Sequence, residues 1–157
     1  MTARIRIEGL CQSFAAPVLE EVHLQIMPGR IHGLVGENGA GKSTCINIIS
    51  GLLSADAGTL ELNGQVYRAP GRPQALQQGI ALAAQELSLI DTLSVAENIF
   101  LSALPQNFMT VDRARLRKHA EELMAQVGLH AMSAHTPVAK LSLAEKQLVE
   151  MAKALSM

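Results

Sequence analysis

Aromatic residues are nearly absent from this sequence: they make up 3% of its 157 residues, with no Trp and one Tyr. Hydrophobic residues nevertheless account for 48% of the chain and charged residues for 17%. That balance excludes a disordered chain or a collagen-like fibre, and it requires a core of aliphatic and Met side chains. The length corresponds to about one globular domain.

Strong charge, paired cysteines and long apolar runs are also missing. A formal net charge of −1 excludes a broad positive surface, so no nucleic-acid partner is expected. Two cysteines without CxxC spacing do not make a disulfide framework, which favours a reducing cytoplasm. No run approaches the roughly 20 apolar residues of a bilayer-spanning helix, and Arg4 and Arg6 interrupt the first apolar residues. Neither a transmembrane helix nor a signal peptide is therefore expected.

Apolar alternation and turn signals predict strands first and helices later. The predicted strands are Ile5–Leu10, Val22–Ile26, Ile31–Val35, Thr59–Leu62, Gln65–Tyr67 and Ile80–Ala84. Asn63-Gly64 predicts a type I′ hairpin turn, and hence an antiparallel pair beside the parallel strands. The predicted helices are Lys42–Gly51, Pro73–Gln78, Ser94–Ser102, one with Asp112 as its N-cap and Gly128 after its last turn, and one that begins at Ser142. The pattern predicts an α/β fold with a mixed sheet and a helical subdomain.

The last two helices have distinct sequence signals. Ser142 and Glu145 form an S-x-x-E capping box. Apolar residues form one stripe in the first of these helices, and others follow the capping box in the second: Leu116, Ala120, Leu123 and Val127, and Leu148, Met151, Ala152 and Leu155.

A glycine-rich string follows the predicted strand Ile31–Val35 and opens the next helix. It matches G-x-x-x-x-G-K-[ST] and consists of Gly36, Glu37, Asn38, Gly39, Ala40, Gly41, Lys42 and Ser43, followed by Thr44. Glycines let the backbone approach phosphate oxygens, while successive N–H groups and the helix N-terminus supply positive potential. Lys42 is predicted to reach the β- and γ-phosphates, Ser43 to ligate Mg²⁺, and Thr44 to meet the α-phosphate side. ATP and Mg²⁺ are therefore the expected cofactors.

The string GENGAGKST over Gly36–Thr44 resembles the Walker A motif of ATP-binding cassette (ABC) transporter ATPases. Residues 85–100 are similar to the family's Q-loop and the start of its helical subdomain, and residues 141–155 to its signature and the helix after it. Phe14 lies where the family has the aromatic residue that stacks on adenine. The strings GENGAGKST, QEL and VEMAKAL most resemble the N-terminal cassettes of the double-cassette ATPases that drive bacterial monosaccharide importers.

This resemblance implies a P-loop NTPase-like nucleotide-binding domain that is incomplete at its C-terminus. Its β and P-loop part would cover residues 1–86, and its helical subdomain residues 87–157. Gln85 would sense the γ-phosphate and, with Ser43, Mg²⁺, while Ser142 would contact ATP held by a partner cassette. The implied partners are transmembrane permease subunits, a second cassette and, indirectly, a periplasmic sugar-binding protein. The implied location is peripheral, on the cytoplasmic face of the cell membrane.

The sequence departs from the family pattern in two places. Leu143 and Ala144 replace the paired glycines of the signature, and Glu145 replaces its Gln, so bulk and negative charge lie where a phosphate should approach. No Walker B strand ending in Asp-Glu occurs before Met157, and all five His precede Ser142, so the switch His is missing. These groups anchor Mg²⁺ and polarise the attacking water. ATP binding is therefore expected, and hydrolysis by this chain alone is left open.

Alternative interpretations accompany three residues and the function. By residue type alone, Phe14 is a core aromatic, Gln85 a polar strand end and Ser142 a helix cap, although a hydroxyl can cap a helix and still donate to a phosphate. One alternative function is a truncated ATP-binding fragment without hydrolysis, as the missing Walker B suggests. Another is a soluble ABC protein of translation or DNA repair, which the Q-loop string and the near-neutral charge disfavour.

Overall fold

A computed structural model divides the chain into two compact units, Met1–Ile80 and Ala81–Met157. The structure describes residues 4–68, 71–83, 87–101, 106–107, 110–111 and 113–157. Gln85 and the predicted subdomain boundary at residue 86 lie outside the described residues, so both stay predictions.

The first unit contains a four-stranded antiparallel sheet. Its strands are β1 (Ile5–Ser13), β2 (Pro17–Ile26), β3 (Ala57–Leu62) and β4 (Gln65–Val66), in the order β2-β1-β3-β4. Ile5 of the central strand β1 lies opposite Ile26 on one side and Leu62 on the other. Asn63 and Gly64 join β3 to β4 with φ values of 54° and 77°. Positive φ at both central residues confirms the predicted type I′ turn.

The core of this unit combines sheet residues with α1 (Lys42–Ile49) and α2 (Arg72–Gln77). The buried apolar residues are Ile5, Ile7, Leu10, Leu19, Cys45, Ile48, Leu60, Leu62, Tyr67 and Ala75. The hydroxyl of Tyr67 donates a hydrogen bond to the Ile49 carbonyl oxygen at 3.0 Å. Burial raises the pKa of the Cys45 thiol, which keeps it protonated and fits a packing residue rather than a nucleophile.

Two predicted strands are not strands in the described residues. Ile31–Val35 is irregular, and Ile31 and Val35 are 103% and 94% exposed. Residues 80–83 are also irregular, and Ala84 lies outside the described residues. An apolar run favours a strand only where a neighbouring strand completes its hydrogen bonds, and no described strand pairs with either segment. The predicted parallel part of the sheet is therefore wrong for the described residues, whose ladders are all antiparallel.

The second unit is mainly helical, as predicted for this part of the chain. Its elements are α3 (Val95–Ile99), short strands β5 (Gln106–Asn107) and β6 (Thr110–Val111), α4 (Arg113–Gln126), a 3-10 turn (Val138–Lys140) and α5 (Leu143–Leu155). Its core residues are Val95, Ala96, Ile99, Leu116, Ala120, Met124, Leu129, Ala134, Val138, Leu141, Val149 and Ala152. Among the described helices, none has both the length and the apolar character needed to cross a membrane.

The buried face of α5 is not the one that apolar residues alone predict. Ala152 is fully buried, but Met151 and Leu155 are 50% and 56% exposed. Two charged residues of α5, Glu150 and Lys153, are buried instead. Hydrophobicity assigns charged residues to solvent, and this rule fails when they have buried polar partners.

Candidate functional site

The glycine-rich loop has the backbone geometry that its sequence predicts. Gly39 and Gly41 have φ values of 90° and 79°, in the left-handed region that favours glycine. A Cβ atom on Gly41 would lie 2.5 Å from Leu19 Cδ2 and 2.8 Å from the Val18 carbonyl oxygen. Gly41 is therefore required both by its φ and by its close approach to β2.

The N-terminus of α1 adds backbone N–H groups to the glycine-rich loop. The first hydrogen bond at this end of the helix runs from Cys45 N to the Gly41 carbonyl oxygen at 2.9 Å. The backbone N–H groups of Lys42, Ser43 and Thr44 precede that bond, so they have no acceptor within the helix. Unpaired donors at the positive end of a helix dipole form an anion-binding site.

Lys42 adds a full positive charge to this loop. Its Nζ donates to the carbonyl oxygens of Gly36 at 2.7 Å and Glu37 at 2.6 Å. These contacts place the ammonium group against the backbone of the loop. Binding of a phosphate requires Lys42 to exchange carbonyl partners for phosphate oxygens, which form stronger charge-assisted bonds.

The loop therefore fits the phosphate chain of a nucleotide. Residues 36–40 are exposed, and so is Ser43. The loop amides and Lys42 match phosphate oxygens in charge and hydrogen-bonding role. Mg²⁺ usually binds through phosphates, waters and one or two protein oxygens, so the single Ser43 hydroxyl is a reasonable protein ligand. The assignment of Ser43 to Mg²⁺ stays a prediction.

Phe14 lies in the short connection between β1 and β2 with its side chain open to solvent. The residue is 64% exposed, which rules out the alternative that it is a core aromatic. The neighbouring backbone is fixed, because Ser13 N donates to Asp56 Oδ2 at 2.7 Å. An exposed ring on a fixed hairpin is available for stacking, and stacking on adenine stays a prediction.

A separate cleft in the first unit has a volume of about 640 Å³. Its lining residues are Leu10, Ile48, Leu53, Ser54, Ala55, Asp56, Ala57, Gly58, Thr59, Leu60, Val66, Tyr67 and Arg68. None of them belongs to the glycine-rich loop. This cleft is therefore not the predicted nucleotide site.

Ser142 caps α5 by accepting a hydrogen bond from the Glu145 backbone N–H, and its hydroxyl proton goes to the Glu145 side chain. The Glu145 backbone N–H donates to Ser142 Oγ at 3.4 Å, and Ser142 Oγ donates to Glu145 Oε2 at 2.7 Å. A hydroxyl has one proton, so Ser142 cannot hold this bond and also donate to a phosphate. Because the cap itself uses an acceptor site of Oγ, the expectation that capping and donation to a phosphate coexist stays a prediction. Contact with a nucleotide requires the bond to Glu145 to break first.

Ser94 caps α3 through an identical capping box with Glu97, and provides a matched control. We expect Ser142→Ala and Ser94→Ala each to lower the free energy of unfolding by about 1 kcal/mol, because each loses a cap. Urea unfolding followed by circular dichroism measures this change. An unchanged stability in Ser142→Ala, with the expected loss in Ser94→Ala, would contradict the capping role of Ser142.

Glu145 makes this cap dependent on pH. Hydrogen bonds from the Ser142 hydroxyl and backbone N–H lower the pKa of Glu145 from its ordinary value of 4.5. Its stabilising contribution is thus present above pH 4.5 and lost as the pH falls through the lower folded-state value.

Comparison with Glu145→Gln isolates this charge, because Gln keeps the shape of the capping box. We expect the two proteins to differ in melting temperature at pH 7 and to converge below pH 4.5. Glu122→Gln, on the exposed face of α4, controls for the loss of one negative charge. A difference between the wild type and Glu145→Gln that persists unchanged into strong acid would refute this assignment.

Three buried polar residues of the second unit were not predicted from sequence. Asn98 is fully buried, and Glu150 and Lys153 are 6% and 7% exposed. Each contacts the irregular segment of residues 87–93, which follows Gln85 in the chain. The spacing of Glu150 and Lys153 places them on one helix face, which could have indicated a shared polar partner. Their partner, Ser88, lies more than 60 residues away in sequence and could not be identified from it.

A sequence model of the ABC transporter family matches residues 19–157. Among curated proteins, the chain is 40% identical over 154 residues to "Arabinose import ATP-binding protein AraG 2" of Burkholderia ambifaria. It is 42% identical over 154 residues to "Ribose import ATP-binding protein RbsA 2" of Streptomyces coelicolor. Both alignments cover 98% of this chain and 30% of the relative. The chain therefore spans about a third of the length of these relatives.

Solved structures of similar fold are also ATP-binding cassettes. CbiO1 of Clostridium perfringens, described as part of the ABC transporter complex cbiONQ, gives a TM-score of 0.79 at 20% identity. The ADP conformation of MJ1267, an ATP-binding cassette of an ABC transporter, gives 0.84 at 22% identity. Both alignments cover 99% of this chain, and they cover 62% and 65% of the solved chains. These likenesses confirm the predicted cassette fold.

Proposed function

Because the chain belongs to the ABC transporter family, we propose that it is the ATP-binding cassette of a carbohydrate importer. The observation that carries this proposal is the glycine-rich loop, with Lys42 placed across it and the amides of α1 open beside it. The names of the relatives, which specify arabinose and ribose import, favour a monosaccharide as the transported substrate.

In this proposal, the loop binds the phosphate chain of ATP. Lys42 leaves the carbonyl oxygens of Gly36 and Glu37 and neutralises charge on the β- and γ-phosphates. The N–H groups of residues 42–44 hold phosphate oxygens, and the Ser43 hydroxyl ligates Mg²⁺. When bound, Mg-ATP supplies the free energy whose release on hydrolysis drives transport in the assembled importer.

Three residues outside the loop complete the proposed nucleotide contacts. The exposed ring of Phe14 stacks on adenine, and Gln85 senses the γ-phosphate and Mg²⁺. Ser142 contacts ATP held by a second cassette once its bond to Glu145 is broken. The negative charge of Glu145 and the bulk of the exposed Leu143 side chain oppose that contact. We therefore expect Ser142 to bind this ATP more weakly than the paired glycines of the family signature would allow.

The proposed partners follow from the same assignment. They are permease subunits in the membrane, a second cassette and, through the permease, a sugar-binding protein of the periplasm. A relative of similar fold is itself described as part of a transporter complex, which supports a permease partner. The proposed location is peripheral, at the cytoplasmic face of the membrane.

A chromosomal Lys42→Ala substitution tests the transport function. Uptake of radiolabelled monosaccharides, with arabinose and ribose in the panel, is measured in the variant and parent strains. We expect uptake of at least one sugar to fall to the level of an uninduced culture. Lys118→Ala, at an exposed lysine of α4, is the matched control. Unchanged uptake of every sugar in the Lys42→Ala strain would argue against an importer.

A further inference from the structure

Residues 87–93 form neither helix nor strand, yet their backbone is held by side chains of the second unit. The carboxylate of Glu150 accepts hydrogen bonds from the Ser88 backbone N–H and, at 2.8 Å, from the Ser88 hydroxyl. Lys153 Nζ donates to the Ser88 carbonyl oxygen at 3.1 Å and to Ser88 Oγ at 2.8 Å. The N–H, carbonyl and hydroxyl groups of one serine are therefore all bound by α5.

The rest of the segment is held in the same way. Lys146 Nζ lies 2.7 Å from Asp91 Oδ1. Asn98 of α3 accepts from Ile90 N at 2.7 Å and donates to the Ile90 carbonyl oxygen at 3.0 Å. Lys146 is separated from Glu150 by four residues, and Glu150 from Lys153 by three. That spacing places all three on one face of α5, so the helix presents a polar stripe to segment 87–93.

Buried charged residues such as those of this stripe stabilise a fold less than apolar residues of similar size would. Glu150 and Lys153 are both buried, and burial of charges carries a desolvation cost that a pair of apolar residues avoids. Apolar contacts are non-directional, whereas hydrogen bonds to three groups of one residue fix its position and orientation. The arrangement therefore favours positioning of the segment over stabilisation of the fold.

We propose that Glu150 and Lys153 are positioning residues that fix segment 87–93 to α5. The chain that follows Gln85 and the helix that begins after Ser142 then move as one body. Ser88 is three residues after Gln85 in the sequence. This inference rests on the proposed function, in which Gln85 senses the γ-phosphate and Ser142 contacts ATP.

The double variant Glu150→Met and Lys153→Met tests the inference. Met has a similar length to both residues and removes the hydrogen bonds without leaving a lone buried charge. The matched control is Lys118→Met with Glu122→Met, which removes one charge of each sign from the exposed face of α4. Hydrogen exchange of the segment, urea unfolding and affinities for ADP and ATPγS are measured on all three proteins.

We expect the amides of residues 88–91 to exchange at least tenfold faster in the test variant, while α4 and the global stability stay as in the wild type. We also expect the ratio of the Kd for ADP to the Kd for ATPγS to fall at least threefold, because recognition of the γ-phosphate loses its positioned segment. The control should match the wild type in each measurement.

Unchanged exchange at residues 88–91, or faster exchange spread equally over α4 and α5, would overturn the positioning role. An unchanged ratio of the two affinities would overturn its link to the nucleotide. If the wild type binds no nucleotide at all, the proposed function fails, and the exchange rates still decide whether Glu150 and Lys153 hold the segment.

Discussion

Replacing Lys42 with Ala is expected to weaken ATP binding by about 100-fold. The side chain contributes a charge to the phosphates, and hydrogen bonds to charged groups are each worth about 1.5–3 kcal/mol. A loss of about 2.7 kcal/mol corresponds to a 100-fold rise in Kd. Titration of a fluorescent ATP analogue, with competition by unlabelled ATP, measures the change.

The variant should keep its fold, because the hydrogen bonds of Lys42 Nζ in the described residues go to carbonyl oxygens of the same loop, those of Gly36 and Glu37. Equal melting temperatures for the variant and wild type would establish this. Lys118→Ala, which removes a charge from exposed α4, should bind ATP like the wild type. Binding by Lys42→Ala as tight as that of the wild type would eliminate the loop as the phosphate site.

Replacing Gly58 with Ala should destabilise the first unit by about 2–4 kcal/mol, from a strained backbone and an overpacked contact. Gly58 has a φ of 96°, where an L side chain is strained. An added Cβ atom would also press on the Gly9 carbonyl and lie 2.7 Å from Leu10 Cα. These are backbone atoms of β1 at an irregular point of its pairing with β3, and they cannot rotate away.

Gly64→Ala separates the two contributions. Gly64 has a φ of 77°, but a Cβ atom there would meet nothing within 4 Å. We expect Gly64→Ala to lower the free energy of unfolding by about 1 kcal/mol, from backbone strain alone. Urea unfolding of both variants gives the comparison. A Gly58→Ala protein no less stable than Gly64→Ala would show that β1 and β3 do not approach as closely as described.

Local signals in the sequence predicted several elements correctly. The Asn63-Gly64 turn and the Ser142 capping box each depend on residues that are at most three apart, so their geometry follows from the sequence. The motif also placed the glycine-rich loop before α1, where Gly39 and Gly41 have positive φ values that favour glycine. The roles of Phe14, Gln85 and Ser142 toward a nucleotide came from resemblance and stay predictions.

The features that were not predicted depend on contacts between residues that are far apart in the sequence. Ile31–Val35 is apolar enough for a strand, but a strand also needs a partner, which periodicity does not supply. The approach of Gly58 to Gly9 is set by pairing of β3 with β1. The burial of Glu150 and Lys153 depends on Ser88, and hydrophobicity alone assigned that face of α5 wrongly.

The most direct test of the central claim is a titration of the chain with Mg-ATP followed by amide NMR spectroscopy. We predict that the largest shifts fall on residues 36–44, with a further shift at Phe14. The Lys42→Ala protein should show none of these shifts at the same ATP concentration. Shifts confined to the cleft around Asp56 and Tyr67, with residues 36–44 unmoved, would contradict the assignment of the glycine-rich loop as the ATP site.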